Sequence, residues 1–252
     1  MRLTVVGNSG SYPGPASPAS CYLLEAEHDG RAFRVLLDLG SGALGALHTY
    51  IDPLTVDAVL LSHLHADHCL DLCGFYVMRK YHPTGPQPQL PVWGPPGAAG
   101  RMARAYDLDE DPGMTREYDF RDYPDGDVTI GPFTVSAREV YHAVTAFALR
   151  VSVDGRTLVY SGDTAPCDAL SEQAAGADVF LCEASFLSGH DEPPGIHLTG
   201  AEAGEVAAGA EVGRLLLTHI PPWYDPQTVL AEAMGTFSGP LELARTGHVY
   251  DV

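Results

Sequence analysis

Residues 63–68, His-Leu-His-Ala-Asp-His, follow directly on the apolar run VDAVLLS (56–62). Three histidines and a carboxylate at the end of a strand-like run do nothing for a hydrophobic core, because buried polar side chains cost free energy unless they are partnered. In extended backbone His63 and His65 point the same way on either side of Leu64. Asp67 and His68 are expected at the turn before a helix beginning near Cys69. One linear segment can therefore serve two adjacent ions, and the chain must fold so that further ligands reach it from elsewhere.

The rest of the sequence offers those ligands at strand ends. One series of β-rich runs covers 2–7, 21–26, 33–38 and 56–62; a second covers 131–140, 146–153, 157–162, 179–184 and 214–219. Helical stretches are expected near 69–81, 97–106, 166–175, 199–210 and 226–235. Several runs are continuously apolar, as strands covered on both faces are. His63, His142, Asp163 and His219 each follow such a run, and in α/β proteins ligands gather beyond the carboxyl ends of strands. Histidine with carboxylate suits zinc, and also manganese, iron or nickel. The isolated His28, His48, His82, His190 and His248 read as ordinary core or surface side chains. The Pro- and Gly-rich segment 83–97 reads as a loop holding one short strand, PVWG, and 107–127 as acidic and turn-rich. Neither resembles a linker, so one α/β domain spanning 1–252 is expected.

His-Leu-His-Ala-Asp-His resembles the H-x-H-x-D-H signature of the metallo-β-lactamase superfamily, and the later residues follow in that family's order over nearly the whole chain. The resemblance implies a four-layer αβ/βα sandwich with two mixed β-sheets. It implies two divalent metal ions, zinc first and manganese as the alternative. His63, His65 and His142 would hold one ion, Asp67, His68 and His219 the other, and Asp163 would bridge them. LCEASF (181–186) and HLTGAEAG (197–204) are similar to segments of the ribonuclease Z branch and its phosphodiesterase relatives, which carries a glutamate–histidine pair onto Glu183 and His197. The likeness extends to actinobacterial members of that branch, some of them described as cyclic-nucleotide phosphodiesterases, through SGSYPGP (9–15) and THIPPW (218–223). The residues themselves agree. A carboxylate at the end of an apolar run, as at Glu183, needs a cation or donor. His197 stands just before Thr199 and Glu202, which have capping-box spacing.

Charge narrows the partners. The chain carries 33 acidic and 14 basic residues, a net charge of −19, with Lys80 its only lysine. Nucleic-acid affinity depends on neutralising phosphates with Lys and Arg, so a small-molecule substrate is expected and nucleic acid is not. No run approaches the roughly 18 apolar residues of a membrane span, and MRLTVVGNSG reads as a first strand, not as a signal segment; a cytoplasmic protein is expected, with a homodimer as the family's common state. The cysteines at 21, 69, 73, 167 and 182 form no C-x-x-C pair, which disfavours a zinc ribbon or a disulfide framework. GNSGSYPGP (7–15) lacks the ending of a P-loop and reads as a turn lining the mouth of a pocket.

The implied chemistry is hydrolysis. Two metals about 3.5–4 Å apart can clamp a phosphodiester and make hydroxide available near neutral pH. Asp67 would orient that nucleophile or take its proton, and His197, held by Glu183, would assist the leaving oxygen. A small phosphodiester such as 3′,5′-cyclic AMP is the expected substrate. The alternatives are an ester, lactone or thioester, a tRNA 3′ end, or a non-catalytic metal-binding module. Only 20 residues, 143–162, separate His142 from Asp163, where the resembling tRNA enzymes carry a gripping arm.

Overall fold

Strands apolar at successive positions need cover on both faces, and here they have it. In the computed structural model, which describes residues 1–189 and 195–252, Leu3, Val5, Tyr22, Leu24, Val35 and Leu37 face one core while Val6, Cys21, Leu23 and Leu36 face another. His190 lies outside the described residues. Each fully buried Leu or Val contributes about 1.5–3 kcal/mol relative to exposure, so a polar residue on either face is strongly selected against.

The first sheet takes β1 (Arg2–Gly7), β2 (Cys21–His28), β3 (Arg31–Leu37), β4 (Ala58–Leu60), β5 (Leu90–Gly94) and β6 (Tyr118–Asp122). The second takes β7 (Val128–Ile130), β8 (Phe133–Val140), β9 (Ala146–Val153), β10 (Arg156–Tyr160), β11 (Val179–Glu183), β12 (Leu215–Thr218) and β13 (Leu241–Leu243). The chain then returns as β14 (Val249–Asp251) to pair antiparallel with β1. Strand order is β14-β1-β2-β3-β4-β5-β6 in one sheet and β13-β12-β11-β10-β9-β8-β7 in the other. Each sheet is mixed in the same sense. The pairs from β14 to β3 are antiparallel and those from β3 to β6 parallel; β7 to β10 are antiparallel and β10 to β13 parallel.

The two inner faces pack on each other through Leu24, Leu37, Leu60, Leu149, Leu158, Leu181 and Leu216. Outside the first sheet lie α1 (Ala43–Leu47), α2 (Ala66–Cys69), α3 (Leu72–Tyr81) and α4 (Ala98–Ala105). Outside the second lie α5 (Asp168–Ala174), α6 (Gly200–Gly209) and α7 (Pro226–Met234). The architecture is the four-layer αβ/βα sandwich. No helix among the described residues is long and apolar enough to cross a membrane.

The sequence reading differs from the structure in four places, the first being α1, which forms where no helix is expected. The expected helix near 69–81 is split, and Asp67 and His68 lie inside the short α2 instead of in the turn before it. Within the turn-rich 107–127 stretch, β6 buries Tyr118 while Asp119 and Arg121 pair at the edge of the sheet. The edge strands β7, β13 and β14 are three residues each, too short to show a periodicity.

Candidate metal centre

Every sequence-selected site residue arrives at one end of the sandwich, beyond the carboxyl ends of the strands. His63 follows β4, His142 follows β8, Asp163 follows β10, Glu183 ends β11 and His219 follows β12. Tight turns make this possible. Gly162, with φ of 58°, turns the chain before Asp163, and a Cβ there would come within 2.8 Å of the Phe147 carbonyl and 2.9 Å of the Ser62 Cβ. His219 itself is left-handed, with φ of 55°, a conformation that costs a non-glycine residue free energy and survives only where its surroundings impose it.

Two sets of ligand-type atoms converge. His63, His65, His142 and Asp163 form one, Asp67, His68, Asp163 and His219 the other, and within each set the atoms lie within 4.8 Å of one another. His65 Nδ1 is 3.0 Å from His63 Nε2 and 3.2 Å from His142 Nε2. His68 Nε2 is 3.2 Å from Asp163 Oδ1 and 3.4 Å from Asp67 Oδ2, and His219 Nε2 is 3.2 Å from Asp163 Oδ2. Ligands about 2.0–2.1 Å from one tetrahedral cation stand about 3.3 Å apart, so these spacings match the edges of a coordination shell.

The outward nitrogens of four rings are fixed by other groups. His68 Nδ1 donates to Asp38 Oδ2 at 2.7 Å, and the same oxygen accepts from Tyr160 Oη and Ser62 Oγ, both at 2.8 Å. Because the Ser62 hydroxyl gives its proton to Asp38, its oxygen is free to accept from His63 Nδ1 at 3.1 Å. His142 Nδ1 donates to the Ile196 carbonyl at 2.7 Å, and His219 Nδ1 meets Ser20 Oγ at 2.9 Å. With Nδ1 protonated, Nε2 presents a lone pair inward; this is how partners outside a metal site set the tautomer of its histidines.

The centre fits cations on a further count. His68 Nε2, His219 Nε2 and Asp163 Oδ1 are buried with no hydrogen-bond partner, and buried polar atoms are almost always satisfied. Charge is arranged to suit. Burial pushes His63 and His65 below the ordinary histidine value. Burial would raise Asp163 and Asp67, but His219, His68 and His63 hold Asp163 well below the usual carboxylate range, and His68 and His219 hold Asp67 low.

Glu183 and His197 sit beside the shared carboxylate as a third group with Asp163. His197 Nδ1 donates to Glu183 Oε1 at 2.8 Å. Glu183 also accepts the backbone N–H groups of Thr164 at 2.9 Å and Ser185 at 3.0 Å, which lock the carboxylate. The edge of Phe186 packs on the imidazole at 5.0 Å. Burial alone would lower the His197 pKa; the charge and hydrogen bond of Glu183 outweigh it and push the group up to about 9. The ring lies 5.3 Å from that of His142 and 5.9 Å from that of His219, facing both ligand sets.

Sequence reasoning passed over Asp38, Ser20, Ser62 and Tyr160. Asp38 ends the run FRVLLD and is fully buried, the same signal that singled out Glu183. The two serines and the tyrosine carried none.

Comparison with known proteins identifies the family and supports the fold. A family model described as a beta-lactamase superfamily domain matches residues 34–220. An uncharacterised protein of Mycobacterium leprae is 46% identical over 259 aligned residues, covering 100% of this chain and 89% of its own. Ribonuclease Z of Myxococcus xanthus is 29% identical over 307 aligned residues, covering 100% and 98%. The crystal structure of the metallo-beta-lactamase fold protein YhfI from Bacillus subtilis, 29% identical, superposes with a TM-score of 0.87 over 99% of both chains.

Proposed function

The chain belongs to the metallo-beta-lactamase superfamily and is a metal-dependent hydrolase, and from that premise we propose that it is a two-metal phosphodiesterase acting on a small diester such as 3′,5′-cyclic AMP. The observation that carries this reading is the Glu183–His197 pair beside Asp163. An alkoxide such as a ribose 3′-oxygen leaves phosphorus poorly without a proton, whereas many acyl leaving groups need less help.

In this reading His63, His65 and His142 would hold one cation and Asp67, His68 and His219 the other, with Asp163 a member of both ligand sets. Zinc suits the nitrogen-rich set, with manganese as the alternative. When bound, the cations supply positive charge to the phosphate oxygens and make water a usable nucleophile near neutral pH. Asp67 orients the attacking water and takes its proton. His197, protonated at neutral pH by virtue of Glu183, gives a proton to the departing oxygen. Asp38, Ser62, Ser20 and the Ile196 carbonyl hold the rings in place, so little reorganisation accompanies the reaction.

Two features support a small substrate over tRNA. The net charge of −19 opposes a long polyanion. Between His142 and Asp163 the chain forms β9, a turn at Asp154 and Gly155, and β10, leaving no projecting arm in that interval.

The test is a panel of cyclic nucleotides, bis(p-nitrophenyl) phosphate, precursor tRNA and acyl esters, assayed with added Zn²⁺ and Mn²⁺ alongside metal analysis. Two metal equivalents and turnover of cyclic nucleotides are expected. Cleavage of tRNA or acyl esters without cleavage of small phosphodiesters would overturn the assignment.

A further inference from the structure

Large apolar side chains rarely stay in water without a use when they cluster. Here Tyr12 is 43% exposed, Trp223 58%, Tyr141 64% and Val144 41%. All four sit on loops that carry or abut site ligands: Tyr141 and Val144 flank His142, and Trp223 follows His219 by four residues. Four residues reach no more than about 14 Å along the chain, which bounds how far Trp223 can lie from His219.

Tyr12 and Trp223 face each other with ring centroids 5.4 Å apart and planes tilted by 37°. Tyr224 meets the indole edge-on at 6.0 Å. That spacing leaves no room for a ring between Tyr12 and Trp223, so the pair offers an outer face and not a slot. Both loops are tied to the same ligand. The Gly10 N–H donates to the Ile220 carbonyl at 3.2 Å, and Gly10 lies so close to His219 that a Cβ would come within 2.2 Å of its carbonyl oxygen. Ser9 pairs with Ile220 and its hydroxyl donates to the Tyr12 carbonyl at 2.7 Å. Pro13, Pro15, Pro221 and Pro222 stiffen the two segments. A pre-positioned aromatic face costs little entropy to use. The same loops wall a cavity of about 590 Å³ at the carboxyl ends of β12 and β13, in which Arg245 is the only charged lining residue among the described residues.

We propose that Tyr12 and Trp223 form a stacking platform that selects substrates carrying a planar heteroaromatic ring, a nucleobase, next to the scissile phosphate. This deepens the phosphodiesterase reading and rests on it for the identity of the reacting bond. On so acidic a chain the cations at the centre would hold the phosphate, which leaves the organic part to be recognised without charge. Stacking on an aromatic face does this and tolerates different bases.

The experiment has two arms. In the first, kcat/KM is compared for cyclic AMP and for the cyclic phosphate of a methyl riboside that lacks the base. Wild type is expected to favour the base-bearing diester. W223A is expected to lower that preference about tenfold, with W223F keeping most of it and Y12A intermediate. In the second, adenosine, which has no phosphate, is titrated against tryptophan fluorescence. The only other tryptophan, Trp93, is 9% exposed, so saturable quenching is expected in wild type and lost in W223F. An unchanged preference in W223A, or equal quenching in W223F and wild type, would overturn the platform. Quenching as expected with no diester cleaved would overturn the phosphodiesterase reading and leave the platform standing.

Discussion

Asp38 Oδ2 accepts the Nδ1 proton of His68 at 2.7 Å, joining the end of β3 to the ligand segment 30 residues further on. The carboxylate is also held by the Ser62 N–H at 2.7 Å and by Tyr160 Oη at 2.8 Å, which reaches across from the second sheet. Neither Asp38 nor Tyr160 is near enough in sequence to suggest this bond. Together they fix the direction in which the His68 lone pair points.

Removing that orientation should weaken the centre without emptying it. Asp38→Asn keeps the shape but can offer an N–H where His68 needs an acceptor. Partners of this kind are worth about 10–100-fold in metal affinity. Titration with a competing chelator should show such a loss in D38N, with Tyr160→Phe losing less because two other donors to Asp38 remain. Wild-type affinity in D38N would show that the contact is only structural.

Stoichiometry should follow the two ligand sets. His142→Ala removes a residue from one set alone and His219→Ala a residue from the other, whereas Asp163 belongs to both. Each histidine variant is expected to hold close to one equivalent, and Asp163→Asn to lose affinity at both positions. Elemental analysis after gel filtration decides this. Two equivalents retained in D163N would remove the bridging role.

A group that protonates the leaving oxygen matters in proportion to how poor that oxygen is. His197→Ala should therefore slow cleavage of an alkyl phosphodiester by about 10²–10⁴-fold. On bis(p-nitrophenyl) phosphate, whose leaving group needs no proton, the loss should be within about tenfold. Glu183→Gln should fall on the same side of that divide, because it removes the negative charge that keeps the imidazole protonated. An equal loss on both substrates would assign the pair a binding or structural role.

Much of this centre can be read in the sequence because a metal site concentrates unusual residues at strand ends. His63, His65, Asp67 and His68 sit together in the chain, and His142, Asp163 and His219 each close an apolar run. The residues that steer those ligands are harder to see. Ser20 and Ser62 are common types at ordinary positions, and only the packing of the two sheets brings Ser20 to His219 or Tyr160 to Asp38. The fold divides in the same way. Strands buried on both faces show as continuous apolar runs, while β7, β13 and β14 owe their pairing to neighbours supplied by the rest of the sheet. The break between α2 and α3 follows from a tertiary demand too: Asp71 accepts the Leu44 N–H at 2.8 Å, which anchors the start of α3 to α1.

The Glu183–His197 pair also sets a dependence of stability on pH. Free histidine titrates near 6.5; in the fold, Glu183 overcomes burial and raises His197 to about 9. The native state therefore binds the proton more tightly than the unfolded chain does. The resulting stabilisation is fully present below about pH 6.5 and is lost as pH rises through about 9. Denaturant melts of wild type and His197→Gln, both metal-free, should differ most at pH 6, and the gap should close between pH 6.5 and 9.5. Glu183→Gln should flatten the same dependence, because the largest influence raising His197 against burial is then gone and only the weaker pull of Asp163 remains. If the gap between wild type and H197Q stays constant across that range, His197 is not charged in the folded protein, and its role as proton donor at neutral pH fails with it.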